Sequence, residues 1–325
     1  MGTSGMIILT GGAGFVGSNL LKRLNAEGID DILIVDNLKN GDKYRNLVGA
    51  RFADIVDRFE FRRLLEADKA PVKIDAILHQ GACTDTLEYD GAYMMRTNYD
   101  DSKALLHLAI DRGVPFVYAS SGAVYGHARM ATEGPENEWP LNVYGYSKLQ
   151  FDRYVRRLLP QGDSTVVGLR YFNVYGNGES HKGRMASMVY HFTKQLQETG
   201  VAKLFGEYAG YSPGESTRDF VYVKDLIDVN LHFLVGKGTR GIVNVGSGVL
   251  RTWNDLANTV IATLGKGQIE YVDFPEGMKG KYQLGSQADL AGLRALGYGK
   301  EFTTLEDGVR DYLTTMDAET AKFEA

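Results

Sequence analysis

Tyr144 and Lys148 stand four residues apart and fall on one face of a helix predicted over 144–159. A phenol titrates near 10 and is a poor base at neutral pH, but a neighbouring ammonium stabilises its phenolate. Such a phenolate can take the proton of a hydroxyl that is losing hydride. Upstream, Ser120-Ser121 closes a strand predicted over 116–120, which brings a hydroxyl to the carboxyl edge of a sheet, where α/β proteins bind ligands. Alone, a Tyr-x-x-x-Lys pair is more often an ordinary helix face. It gains meaning from what precedes it in the chain.

Near the N-terminus a predicted strand over 7–10 runs into Gly11-Gly12-Ala13-Gly14-Phe15-Val16-Gly17 and then a helix over 15–25. Glycine here permits a tight turn, close approach of a pyrophosphate to the backbone, and packing of the helix on the sheet. Asp36, at the end of the second predicted strand, lies 19 residues after Gly17, where a ribose-binding carboxylate is expected. Strand, loop, helix and acid together predict a dinucleotide site, and an oxidised nicotinamide would add a second positive charge beside Tyr144. A carboxylate facing the ribose favours NAD, whereas Lys39, Lys43 and Arg58 could hold the extra phosphate of NADP or form a solvated basic face.

The elements that must position these groups are short apolar runs alternating with helical periods. Strands are predicted over 7–10, 32–35, 76–79, 116–120 and 166–169, and helices over 15–25, 93–112 and 144–159. Continuous apolar strands separated by helices indicate an α/β fold, a Rossmann-type doubly wound parallel sheet. After about Tyr171 the rhythm changes, and Gly-, Tyr- and charge-rich loops over 173–184, 207–218 and 275–282 suggest a lid around a ligand. Thr252 with Asp255 and Thr304 with Asp307 read as capping boxes. The expected organisation is a dinucleotide-binding domain over 6–170 and a smaller α/β substrate-binding domain over 171–317, some of whose chain returns to the first. Residues 1–5 read as a remnant of expression.

The 325 residues suit about two structural units, and a 44% hydrophobic fraction supplies a core. Glycine, 39 residues, is in excess while proline, at seven, is scarce, so the glycines answer specific backbone needs rather than low complexity. With 41 acidic and 36 basic residues the net charge is −5, which argues against a nucleic acid or anionic membrane partner. A single cysteine, Cys83, excludes an internal disulfide and a cysteine-based zinc site, and its type suits a small buried hydrophobe. No metal site is expected. Neither a membrane-spanning run nor a secretory signal is read, so a cytoplasmic location is expected.

The glycine loop Gly11-x-x-Gly14-x-x-Gly17, the segment Tyr118-Ala-Ser-Ser121-Gly-Ala-Val-Tyr125-Gly126, the Tyr144 and Lys148 pair, and Arg170-Tyr-Phe-Asn173-Val-Tyr-Gly176 occur in order across nearly the whole chain. They resemble the extended short-chain dehydrogenases/reductases that act on nucleotide sugars. Further stretches are similar to the members that epimerise an ADP-heptose at carbon 6, a lipopolysaccharide inner-core precursor. These are Val35-Asp-Asn-Leu-Lys39, His79-Gln-Gly-Ala-Cys83, Leu141-Asn-Val-Tyr-Gly-Tyr-Ser-Lys148, His181-Lys-Gly183 with Met185-Ala-Ser187, Arg218-Asp-Phe-Val-Tyr222, and Lys266-Gly-Gln-Ile-Glu-Tyr271 leading to Lys279-Gly-Lys-Tyr-Gln283.

That resemblance implies an epimerase with no net oxidant. Tightly bound NADP takes hydride from carbon 6 to leave an aldehyde and returns it to the other face. Tyr144 would serve one face and Lys182 the other, with Ser121 bonding the reacting oxygen and Lys148 lowering the tyrosine's pKa while holding the nicotinamide ribose. Without the resemblance, Lys182 reads as a surface lysine. Implied cofactor contacts are Gly11, Gly14, Phe15, Val16, Gly17, Asp36, Asn37, Lys43, Arg58, Gln80, Gly81, Ala82, Cys83, Thr84, Asn98, Lys148, Val174 and Lys182, with Arg58 replacing the usual lysine. Implied substrate contacts are Ser121, Asn173, Arg184, His191, Phe205, Arg218 and Tyr282. Arg184 stands where the family has a smaller polar residue, and His191 equally suits a structural role. A homo-oligomer, a pentamer, is also implied. The competing readings are a UDP-hexose 4-epimerase, which needs no loop lysine, and a dehydratase, whose Asp-Glu pair is here Gly122-Ala123. A third is an inactive dinucleotide sensor, for which an intact Ser121, Tyr144 and Lys148 would be superfluous.

Overall fold

In the computed structural model, which describes residues 5–71, 73–279 and 282–324, short apolar runs build most of the strands. The strands are β1 (Met6–Thr10), β2 (Ile32–Asp36), β3 (Asp54–Asp57), β4 (Ile74–His79), β5 (Phe116–Ser121), β6 (Met130–Ala131), β7 (Val166–Tyr171), β8 (Asn173–Tyr175), β9 (Val201–Phe205), β10 (Thr217–Tyr222), β11 (Arg240–Val245), β12 (Leu250–Thr252), β13 (Gln268–Val272) and β14 (Gln287–Ala288). The helices are α1 (Phe15–Ala26), α2 (Arg58–Glu66), α3 (Gly91–Met95), α4 (Asp101–Arg112), α5 (Val143–Leu158), α6 (Met188–Thr199), α7 (Val223–Val235), α8 (Trp253–Leu264), α9 (Ala291–Ala295) and α10 (Leu305–Glu324). Residues 1–4 of the segment 1–5 read as an expression remnant, and Gly280 and Lys281 of the Lys279–Gln283 motif, lie outside the described residues.

Seven strands form one parallel sheet in the order β11-β7-β5-β4-β1-β2-β3. Because successive side chains point to opposite faces, Ile7, Leu9 and Ile34 pack with Leu20, Leu21 and Leu24 of α1 and with α7, whereas Ile8, Leu33 and Ile77 pack with α2, α4 and α5. Both faces are covered, the doubly wound Rossmann arrangement expected. Strand order reverses between β1 and β4, so the crevice at their carboxyl ends is where this architecture takes a ligand. The strand β11, from the second half of the chain, completes the sheet edge. The remaining strands are short: β8, β10 and β12 form a three-stranded sheet, and β9 with β13 and β6 with β14 form parallel pairs.

A buried ionic cluster fixes α5 against the sheet. The Asp152 carboxylate on α5 accepts from Tyr118 Oη and Ser120 Oγ of β5, each at 2.9 Å, and from Arg170 Nε of β7 at 2.8 Å. Arg170 is fully buried and also reaches Glu138, which in turn pairs with Arg156. Gly168 leaves room for the Tyr118 ring, since a Cβ there would come within 2.4 Å of it. The carboxylates offset the Arg170 guanidinium's burial and hold its pKa above the ordinary value.

Two local expectations are corrected. The single helix expected over 93–112 is broken by a π turn, Arg96–Asp100, between α3 and α4; the wider turn lets Asn98 reach the Cys83 backbone. Thr252 and Asp255 form a reciprocal capping box, but at Thr304 the Asp307 carboxylate takes the threonine hydroxyl, leaving a one-sided cap.

Candidate active site

The carboxyl ends of β1, β2, β4, β5 and β7 open into a cavity of about 990 Å³. At its floor the glycine loop has no space for side chains. A Cβ on Gly17 would stand 2.0 Å from the Gly11 carbonyl oxygen, and one on Gly11, whose φ is +67°, 2.7 Å from the Gly81 nitrogen. Backbone therefore forms the wall against which a pyrophosphate would lie, at the start of α1. The Asp36 carboxylate is buried, accepts the Ala13 N–H at 2.8 Å and the Asn37 N–H at 2.6 Å, and pairs with Lys43. Arg58 stands on the same wall with a buried Nε that has no partner among the described residues. A glycine cradle, a ribose-side carboxylate and a cation with an unused donor fit a nicotinamide dinucleotide, whose chemistry when bound is to accept and return a hydride.

A relay of hydroxyls fixes the second wall. Thr10 Oγ1 accepts the Gly81 N–H at 3.0 Å and meets His79 Nδ1 at 2.6 Å; His79 Nε2 meets Ser102 Oγ at 2.8 Å, and Ser102 donates to the Asn98 carbonyl. The relay runs from Thr10 to Asn98 when the imidazole is neutral with its proton on Nε2. Burial first, and then Lys148, push the His79 pKa down to about 3.

Ser121, Tyr144, Lys148 and Lys182 share this cavity. Burial raises the pKa of the Tyr144 phenol, the Ser121 hydroxyl beside it opposes this, and Cys83 adds to the rise. The Lys148 ammonium donates to the Ala119 carbonyl at 2.8 Å, and burial draws its pKa down to about 8 against the pull of Asp152. In this arrangement the Lys148 ammonium is engaged with Ala119, and burial dominates at the Tyr144 phenol. Lys182 lies on the turn Ser180–Met185, its ammonium 5.2 Å from the Phe15 ring centre. Burial lowers its pKa and Glu179 opposes this, so it is not the solvated surface lysine its loop suggested. Its neighbour His181 has a pKa lowered to about 4, by burial and then by Lys43 and Lys182.

A second cavity of about 280 Å³ adjoins the first, and Met188 and Trp253, the first residues of α6 and α8, line both. Its wall is aromatic. Tyr208 and Phe274 stack at 3.8 Å, and Phe205 meets Phe274 and Tyr282 edge-on at 5.2 and 6.3 Å. The buried Arg218 guanidinium is on neither cavity's wall but lies 4.9 Å from the Tyr282 ring centre and 5.3 Å from that of Trp253, both of which line the smaller cavity. An apolar slot flanked by a cation suits a flat base with a phosphate beside it.

Most residues singled out in the sequence meet here. Gly11, Gly14, Phe15, Val16, Gly17, Asp36, Asn37, Lys43, Arg58, Gln80, Gly81, Ala82, Cys83, Thr84, Asn173, Val174 and Arg184 line the larger cavity, and Phe205 and Tyr282 the smaller. Cys83 is half-buried on that wall rather than sunk in the core. Asn98 is on neither wall; it binds the Cys83 N–H and carbonyl at 2.8 and 2.9 Å from behind. His191 is also on neither wall and packs edge-on against Tyr190. Arg184 makes an exposed ion pair with Asp85 at 2.6 Å. Sequence reasoning missed Met188, Trp253, Tyr208, Tyr211 and Phe274, although the Tyr-rich loop over 207–218 and the aromatic after the Thr252 cap were visible signals. No group of three or more His, Cys, Asp or Glu side chains able to hold a metal occurs among the described residues, nor any helix long and apolar enough to cross a membrane.

A model of the NAD dependent epimerase/dehydratase family matches residues 7–246. The chain is 52% identical over 308 residues to an ADP-L-glycero-D-manno-heptose-6-epimerase of Alkalilimnicola ehrlichii, covering 95% of this chain and 96% of that protein. It is similar to the crystal structure of the Helicobacter pylori ADP-L-glycero-D-manno-heptose-6-epimerase, with a TM-score of 0.83, 32% identity, and 97% and 96% of the two chains covered. A UDP-glucose 4-epimerase of Thermotoga maritima with UDP-glucose matches with a TM-score of 0.80 at 27% identity, over 96% and 99% of the chains.

Proposed function

This chain belongs to the NAD dependent epimerase/dehydratase family, and on that premise we propose that it is an isomerase that converts ADP-D-glycero-D-manno-heptose to ADP-L-glycero-D-manno-heptose. The carrying observation is the meeting of Ser121, Tyr144, Lys148 and Lys182 in one cavity whose far end opens on an aromatic chamber. The curated relative at 52% identity acts, by its name, on this sugar.

In this reading Tyr144 takes the proton of the carbon 6 hydroxyl as hydride leaves that carbon, and Ser121, on the same cavity wall, holds the reacting oxygen. Lys148 keeps positive charge beside the phenolate once its bond to Ala119 is exchanged for a substrate or cofactor oxygen. The planar aldehyde then presents its other face, and as hydride returns to carbon 6 the Lys182 ammonium, its pKa lowered by burial, gives the oxygen its proton. Arg218 and the aromatic chamber hold the diphosphate and adenine. An acid that could drive elimination is absent beside Ser121: Gly122 packs on Phe172, whose ring a Cβ would meet at 3.3 Å.

The cations Lys39, Lys43 and Arg58 around Asp36 support NADP over NAD. Titrating both cofactors tests this, with Lys43→Glu expected to turn the preference toward NAD. The family motifs further support a cytoplasmic homo-oligomer, a pentamer, which sedimentation tests. For the reaction itself, purified protein is incubated with ADP-D-glycero-D-manno-heptose and the carbon 6 epimer is sought by NMR. Conversion is expected to be lost in Tyr144→Phe and Lys182→Met; conversion of a UDP-hexose instead would replace this reading by a 4-epimerase.

A further inference from the structure

Glu179 is fully buried three residues before Lys182, and the reaction as described makes no use of it. Its carboxylate accepts the Gly176 N–H at 3.4 Å, the Ser187 hydroxyl at 2.7 Å and the Ser187 N–H at 2.5 Å. Tyr312 of α10 also acts to lower the carboxyl's pKa. Gly176 and Ser187 are the two ends of the segment that carries Lys182, and one carboxylate ties them together. From its backbone, the Glu179 carbonyl accepts the Lys182 N–H at 2.9 Å. Directly after Lys182 the chain reverses at Gly183, whose φ of +53° suits glycine. Ser187 is in turn the N-cap of α6, accepting the Tyr190 N–H at 3.3 Å, so the segment is anchored on a helix whose first residue, Met188, lines both cavities.

We propose that Glu179 is the positioning residue of Lys182, its buried carboxylate setting where the amine stands over the glycine loop and supplying the negative charge that sustains its ammonium form. A neutral acceptor would staple the segment as well, so the charge needs a reason. Lys182 gives one: burial raises the Glu179 carboxyl's pKa and lowers that of the Lys182 amine, and each is the first influence opposing the other's loss of charge. This inference rests on the two-base reading above.

The test uses the full-length protein loaded with NADP and mixed rapidly with each carbon 6 epimer in turn, following the absorbance of reduced nicotinamide. In the wild type the signal forms from both epimers. Lys182→Met identifies the epimer whose oxidation depends on the amine. Glu179→Gln keeps an acceptor oxygen but removes the charge, and is expected to slow the signal roughly 10²-fold from that epimer while leaving the other within about twofold. Equal slowing from both epimers, or none, would make Glu179 a staple only and overturn the proposal. If Lys182→Met shows no asymmetry, the two-base reading itself fails and takes the proposal with it. Should Glu179→Gln fail to bind NADP, Ser187→Ala decides: it removes one donor to the carboxylate, and a smaller asymmetry of the same sense is expected, with none overturning the proposal.

Discussion

The cofactor side and the nucleotide side of the cleft are built by opposite means. At the glycine loop the wall is backbone, and function depends on side chains being absent: Gly11 and Gly17 could not carry a Cβ without collision. In the smaller cavity the wall is side chain, assembled from Phe205, Tyr208, Phe274 and Tyr282 on loops and short strands. Adding atoms should therefore break the first region and removing atoms should weaken the second.

The largest effect is expected from Gly17→Ala. Its Cβ has no room beside the Gly11 carbonyl, and the forced shift of loop and helix should cost about 3 kcal/mol of stability and abolish measurable NADP binding. Calorimetric titration and a thermal melt check both; near-normal binding would end the claim that the cradle is filled by backbone.

Acid should loosen the same region next. His79 has a folded pKa of about 3 against an ordinary 6.5, so below 6.5 the unfolded chain binds a proton that the folded chain refuses. The stabilisation is complete above 6.5 and is lost as pH falls toward 3, about 2 kcal/mol of it between pH 7 and pH 5. His181, lowered to about 4, adds in the same sense from the Lys182 turn. Urea unfolding across this range should give a shallower acid limb in His79→Gln, and an unchanged limb would remove the relay from the account.

On the nucleotide side Phe274→Ala deletes the ring stacked on Tyr208. It should raise KM roughly fivefold, about 1 kcal/mol, with kcat little changed. A fall in kcat with KM constant would place the ring at the chemistry instead. The smallest effect is expected of Arg184→Ser, because the Arg184 and Asp85 pair is exposed; less than about 1 kcal/mol should be lost, and salt should mask it. A larger rise in KM would show Arg184 touching substrate.

The same contrast governs what the chain reveals before it folds. Strands such as β1 and β2 are buried on both sides and therefore read as apolar runs, and the glycine loop reads clearly because backbone needs leave only one residue type. The edge strand β3, Asp-Ile-Val-Asp with exposed ends, carries too little apolar pattern to be read. The aromatic chamber was legible only as a Tyr-rich stretch, since its geometry comes from contacts between segments distant in sequence, as when Phe205 of β9 meets Tyr282. Motif resemblance named Asn98 and His191 by position, but the structure sets Asn98 behind the cofactor wall and His191 away from both walls. Glu179 gave no signal at all, because a lone carboxylate in a polar loop reads as solvated until its partners fold around it.

The ionic cluster of Asp152, Arg170 and Glu138 has a consequence for the history of the sequence. Losing one member would strand a buried charge at a cost of about 3–5 kcal/mol, a large part of a domain's stability, whereas a concerted exchange for apolar residues can be neutral. The three positions thus form an epistatic block: a lineage can keep the cluster or cross to another solution in several linked steps, but each single step leads through a protein that barely folds.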